Sequence, residues 1–307
     1  MRPIKLTVVM VLLSAVAGGV WTRGGSANQV AGRSPRSAAA GSSKQADQIK
    51  DLEQRAAREP GSAELRQKLG IAYFYKARLG DAESADKSIA VLEQQIKAAP
   101  DDIASARWLG LSDFVKVGLL DRQRASSEEM AAALTKTLAA FQLVLDRLPN
   151  DAVALSAHGA ALLFLARNKR SMDLFTRGID EMNRAVSTNP SDIDPKLLRS
   201  LTLLNLPGQF RSPQVLTGDF AAILKGMQAG YNDRARAVLE VLLGDAYIEA
   251  KQDTLAKSEY EAAATLPQPA AEVARTRLAA MAQGQPVTQA IQKYHEMAVQ
   301  CASCHNR

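Results

Sequence analysis

From Ala46 to Gln300 the apolar residues, mostly Leu, Ala, Ile and Val, recur at steps of three and four, with Glu, Gln, Lys and Arg filling the positions between them. Strand-like alternation is almost absent, so this stretch is expected to be all-α and long enough to bury a sizeable core. The pattern changes at both ends. Residues 18–46 are Gly, Ser, Ala, Asn and Arg with few large side chains, too little apolar surface to offset the entropy of ordering, and read as a flexible tether. After Gly284-Gln285-Pro286 a last helix is expected over 284–307, in which Val287, Ile291, Tyr294, Ala298, Cys301 and His305 follow one another at an average step of 3.6 and share a face.

Within the helical stretch, one short pattern returns. Leu69-Gly70-Ile71-Ala72-Tyr73 is restated as Leu243-Gly244-Asp245-Ala246-Tyr247, which continues to Ala256, Tyr260, Ala263 and Pro267. Looser versions are Trp108-Leu109-Gly110 with Phe141 and Pro149-Asn150-Asp151, and Gly159 with Met182, Ala185 and Pro190. Small residues let two antiparallel helices approach closely, and the large one fills the space beside them. Residues 47–283 thus resemble tetratricopeptide repeats, most closely over Leu239 to Pro267. The resemblance implies an α-solenoid of antiparallel helix pairs that docks a protein partner.

The glycines at 70, 110, 159 and 244 are farther apart than the ~34 residues of a standard unit. The surplus is expected in the connections within pairs, around Leu79 to Ala85 and Gly118 to Ala125. The longest interval has room for a degenerate pair: Pro195 to Leu206, a loop from Pro207 to Gly218, and Asp219 to Tyr231.

The first 17 residues have the order of a secretory signal: Arg2 and Lys5, an apolar run from Leu6 to Val16, and Ala15-Val16-Ala17 as cleavage site. An uncleaved anchor reaching Trp21 is the alternative, and the only route to membrane attachment. Either way the folded part is expected outside the cytoplasm, in a periplasm or otherwise exported. The formal charge of +6 resides in residues 1–45, which hold six basic residues and no acidic ones; the rest carries 32 of each. A body that is neutral overall gives no basis for nucleic-acid binding.

Specific chemistry is written in one place, Cys301-Ala302-Ser303-Cys304-His305, which contains both cysteines of the chain. Thiols one helical turn apart suit two thioethers to haem vinyl groups, with the adjacent imidazole falling beneath the iron. The motif resembles that of c-type cytochromes. This implies one covalent haem c held by Cys301 and Cys304, with His305 as axial ligand to the iron. Its place on a last helix is similar to the c-prime type, which implies an iron that is five-coordinate or capped from elsewhere.

His295 and Met297 fall on the same side of such a haem as His305, while His158, Met182 and Met281 read first as core. Zinc held by His295, Cys301, Cys304 and His305 is a second reading, although adjacent Cys304 and His305 make awkward co-ligands. A redox dithiol is a third, although no βαβ setting surrounds the motif. No phosphate loop, G-x-S-x-G, zinc-protease motif or catalytic triad is present, so the sequence points to electron transfer or small-ligand binding with a protein redox partner rather than to an enzyme.

Overall fold

The computed structural model describes residues 35–204, 206–227 and 233–287. Among these the chain is helical with no strand, as the periodicity requires. The helices are α1 (Pro35–Arg58), α2 (Ala63–Ala77), α3 (Ala82–Ala98), α4 (Ile103–Arg122), α5 (Ser127–Arg147), α6 (Ala152–Lys169), α7 (Met172–Thr188), α8 (Ile193–Leu204), α9 (Pro213–Gly226), α10 (Asp233–Glu249), α11 (Asp253–Ala264) and α12 (Ala270–Ala282). They divide into two compact units, α1–α7 and α8–α12.

In the first unit α2/α3, α4/α5 and α6/α7 are antiparallel pairs, with α1 packed on α2. The first helices α2, α4 and α6 touch in sequence, and each intervening second helix rests on its own partner and on the next first helix. The second unit pairs α8 with α9 and α10 with α11, and sets α12 beside both α10 and α11.

Two kinds of turn produce this order. Within pairs, a residue at positive φ ends the first helix: Gly80 at 104°, Arg124 at 57°, Arg170 at 53° and Lys251 at 59°. The next amide then closes back five residues, Ala125 N–H to the Leu120 carbonyl at 3.0 Å, Ser171 to Ala166 at 3.0 Å and Gln252 to Tyr247 at 2.9 Å. Between pairs, Pro60, Pro100 and Pro149 stop one helix, and two residues later Ser62, Asp102 and Asp151 cap the next by accepting from the amides of Leu65, Ser105 and Ala154. Ser126 and Glu129 complete a capping box at the start of α5.

In four of the five pairs the two helices meet at glycine. A Cβ on Gly70 would lie 2.7 Å from Leu92 of α3, on Gly110 2.8 Å from Phe141 of α5, on Gly159 2.7 Å from Met182 of α7, and on Gly244 2.5 Å from Tyr260 of α11. These opposing side chains are fully buried. Buried serines add a polar seam to the first two pairs: Ser88 donates to the Gly70 carbonyl at 2.7 Å and lies 2.8 Å from Ser112, which donates to the Trp108 carbonyl at 2.8 Å. In the second unit, Asp245 of α10 accepts from Tyr260 of α11 at 2.6 Å and from the Arg277 Nε of α12 at 3.1 Å, all three buried.

Three expectations change. The surplus length of the repeats is in the helices: α4 has 20 residues and α5 has 21 against 12 in α11, while the connections 78–81 and 123–126 are short. Ala82–Ala85 and Gly118–Arg122 are therefore helical, because apolar spacing and capping run through them. The loop expected to reach Gly218 ends at Ser212, which caps α9 by accepting from Val215, with Pro213 at the first helical position. Residues 35–46 of the expected tether belong to α1, which buries Ile49 and Leu52 further along. The signal segment and the rest of the tether lie outside the described residues.

A pair of substitutions separates the structural glycine from the incidental one. Gly244→Ala drives a methyl into a ring that cannot retreat, since Tyr260 is fully buried and bonded to Asp245, and should cost ~1–3 kcal/mol. Gly218→Ala, mid-helix in α9 with nothing within 4 Å of the new methyl, should gain ~0.5–1 kcal/mol. Urea unfolding of both variants reads the two signs.

Candidate functional site

Cys301, Cys304, His305, His295 and Met297 all lie outside the described residues. The approach to them is described. After α12, Gly284 has φ of 64°, and the Gln285 amide closes back to the Ala280 carbonyl at 2.9 Å. This is the turn that opens α5, α7 and α11. It leads to Val287, which is helical and buried, the first member of the stripe expected to run into the motif.

The other candidate ligands behave as core where they are described. His158 is buried on α6, and its Nδ1 lies 2.5 Å from Glu181 of α7, a tie across the third pair. Met182 fills the space over Gly159, and Met281 is half-buried on α12. Among the described residues no group of three or more His, Cys, Asp or Glu could hold a metal ion.

Two surface features of the first unit remain outside this internal accounting. The larger is a groove of about 700 Å³ between α1 and α2. Its floor is Leu52, Ile71 and Ala72, its upper end Tyr75, Arg78 and the exposed Leu79. Tyr75 belongs to an aromatic group with Phe74 and Trp108, ring centres 5.2–6.0 Å apart. The guanidinium of Arg78 lies over this group, its central carbon 5.6 Å from the Phe74 ring and 5.5 Å from the Tyr75 ring. Its Nε–H is buried without a hydrogen-bond partner, and no described carboxylate forms an ion pair with it. Burial pushes its pKa down to about 10, so the group stays cationic at neutral pH.

The second feature is a groove of about 270 Å³ over α4 and α5, with Asp113 at its base. Asp113 is 5 % exposed. Burial first, and then the Glu93 carboxylate, push its pKa up to about 7; the ammonium groups of Lys136 and Lys116 offset this in part.

No family model matches the chain, and no curated protein matches it. Solved structures similar to it include two tetratricopeptide repeat proteins. One is a thermophilic TPR protein of Thermus thermophilus, 16% identical, covering 71% of this chain and 98% of its own length with a TM-score of 0.47. The other is a tetratricopeptide repeat protein of Parabacteroides merdae, 12% identical, covering 86% and 94% with a TM-score of 0.48. The helix-pair architecture of this chain rests on its own turns and contacts.

Sequence reasoning passed over Arg78 and Asp113. The signal for Arg78 was Tyr73-Phe74-Tyr75, three adjacent rings in a chain with 5% aromatics, with an arginine one helical turn beyond Phe74. Asp113 carries no such signal, because an acid three residues after Gly110 reads as a surface position until α3 and α5 close over it.

The raised pKa of Asp113 fixes the sign of a pH effect. Between its unfolded value near 3.8 and about 7, the folded state holds the proton that the unfolded state has lost, so stability falls as pH rises through this window and levels off above it. Asp113→Asn should match the wild type at pH 4 and be more stable at pH 8, by ~1–3 kcal/mol given ~1.4 kcal/mol per pKa unit and a partly solvated groove. Thermal unfolding at the two pH values checks it.

Proposed function

We propose that this chain is an exported docking protein of paired helices that carries one covalent c-type haem at its C-terminus and exchanges electrons with a protein redox partner. The described fold supports the docking half: helix pairs packed side by side, with a groove on the first unit. The haem half rests on the donor set. Two thiols and an imidazole in C-x-x-C-H fit the group: Cys301 and Cys304 would form the thioethers, and His305 would hold the iron.

The single observation that carries the reading is the continuity of the chain into that motif. The turn at Gly284 repeats the hydrogen bonding that opens second helices, and Val287 is already buried, so a stripe of the kind expected from the sequence would start from a folded unit. A platform of that kind would fix ring orientation and exclude water from one face of the group. When bound, haem supplies one-electron exchange or, with an open coordination position, binding of a small ligand. The signal-like first 17 residues support export to a compartment where such attachment takes place.

The full chain co-expressed with haem-attachment machinery should retain haem after denaturation, seen by peroxidase staining and as the mass of one haem. Cys301→Ala with Cys304→Ala should abolish the stain, whereas His305→Ala should shift the reduced spectrum. A haem-free product with two free thiols overturns this reading and leaves a scaffold whose motif binds zinc or cycles as a dithiol.

A further inference from the structure

In the first unit the turns within pairs stand in a row that is basic and carries exposed apolar side chains. We infer that this row is a membrane-docking edge: its cations meet the headgroups of an anionic phospholipid surface, while Leu79 and Met172 enter the interface. Contacts between consecutive turns establish the row. A Cβ on Gly80 would lie 3.8 Å from the Arg122 guanidinium, and the Asn168 side-chain amide donates to the Ser127 carbonyl at 3.1 Å. Antiparallel pairing puts the turns between pairs at the opposite edge. Those turns, 59–62, 99–102 and 148–151, carry Glu59, Asp101, Asp102 and Asp151 and no Lys or Arg. A body that is neutral overall is thus polarised along its helices.

The cations of the row are exposed, and two of them are held at a cost. Arg122, Arg124, Lys169 and Arg170 face solvent with no ion pair to a described carboxylate, whereas Lys76 of α2 and Lys116 of α4 are paired. Of the nearby acids, Asp81 is held by Lys76 and Glu129 closes the capping box, Asp121 lies beside Arg122 and Arg167, and Glu128 and Asp173 begin α5 and α7. The helix dipole accounts for Arg122 and Lys169 in the last turns of α4 and α6. It does not account for Arg124 and Arg170, which hold the left-handed conformation that glycine takes at Gly80 without strain. A cation kept at a strained, exposed tip points to something it meets there. The apolar side chains choose the partner. Leu79 is 47% and Met172 60% exposed, at the first and third turns. Nucleic-acid phosphates would leave such groups in water, whereas a lipid interface takes guanidinium at its headgroups and aliphatic chains beneath them. The opposite edge exposes Leu148, but in a turn with Asp151 and no cation. The second unit repeats the combination by itself, with Lys251 at φ of 59° before α11 and Leu255 47% exposed in its first turn.

The test is co-sedimentation of the full chain with vesicles of phosphatidylcholine containing about 30% phosphatidylglycerol, and with vesicles of phosphatidylcholine alone. Binding to the anionic vesicles is expected, weakened by salt and weakened roughly tenfold by Arg124→Gly with Arg170→Gly. Glycine relieves the strain at both sites, so this variant should unfold at the same or a higher temperature, and its lost binding is not misfolding. Leu79→Ser with Met172→Ser should weaken binding as well. Lys97→Gln with Arg147→Gln removes the same charge from the opposite edge and should leave binding unchanged. Equal binding to neutral vesicles, or by the glycine variant, overturns the inference, since the apolar leader is then what inserts. Unaltered binding by the serine variant, or equal loss in the opposite-edge variant, overturns it too, the second because net charge alone then explains the effect. Absence of vesicle binding overturns it outright, and binding to soluble polyglutamate in its place names an acidic protein as the partner. None of these outcomes bears on the haem.

Discussion

The constraint on which the structure depends is the absence of a side chain at one point in four of the five helix pairs. Gly70, Gly110, Gly159 and Gly244 let the second helix press a leucine, phenylalanine, methionine or tyrosine directly onto the backbone of the first. At Gly159 the contact is reciprocal: a Cβ on Gly178 of α7 would lie 2.8 Å from the Gly159 carbonyl, so the two backbones are in van der Waals reach. Such close approach explains how a chain with 5% aromatic residues builds a dense core, because backbone atoms supply contacts that large side chains supply elsewhere. It also fixes the sliding position of each pair, since one notch accepts one knob.

Much of this was legible. The Leu-Gly-x-x-Tyr pattern placed the notches at Gly70 and Gly244, and the resemblance to tetratricopeptide repeats picked out Phe141, Met182 and Tyr260 on the second helices. Pro149-Asn150-Asp151 marked the end of the second pair, where Asp151 caps the next helix. What was not legible depends on partners distant in sequence. The lengths of α4 and α5 were misassigned to loops, since an amphipathic helix and a loop containing Gly118 look alike until Phe114 and Val117 are seen to be buried. The turns within pairs were hidden for a different reason: Arg124, Arg170 and Lys251 adopt the left-handed conformation that glycine would advertise. The C-x-x-C-H motif was the most specific feature of the sequence, and the described residues lead up to it without including it.

Polar side chains in the interior mostly serve to fix register. Ser88 and Ser112 connect three helices through two backbone carbonyls, His158 ties α6 to α7, and Asp245 collects Tyr260 and Arg277 from two neighbouring helices. Arg199 grips Asp219 through two hydrogen bonds, at 2.9 and 2.6 Å, between α8 and α9. Buried ion pairs add little net stability over apolar packing, but losing one partner strands the other, so each pair penalises any arrangement of helices that separates it. Apolar stripes of Leu and Ala can slide by a turn at small cost. These ties oppose the slide.

Against that background the charged groups without such a tie are informative. A carboxylate has a way out of an unfavourable site: Asp113, and Asp194 in the second unit, are pushed up to about 7 by burial and by a neighbouring acid, and can hold a proton near neutrality. Arginine has none, because even at about 10 its pKa keeps the charge in place. Leucine at position 78 would cover the same rings without the desolvation cost, so packing alone does not account for an arginine there. The aromatic faces of Phe74 and Tyr75 offset part of that cost, while the Nε–H stays buried without a hydrogen-bond partner. The charge at position 78 is therefore held by ring faces rather than by a described carboxylate, at one end of a groove with a largely apolar lining.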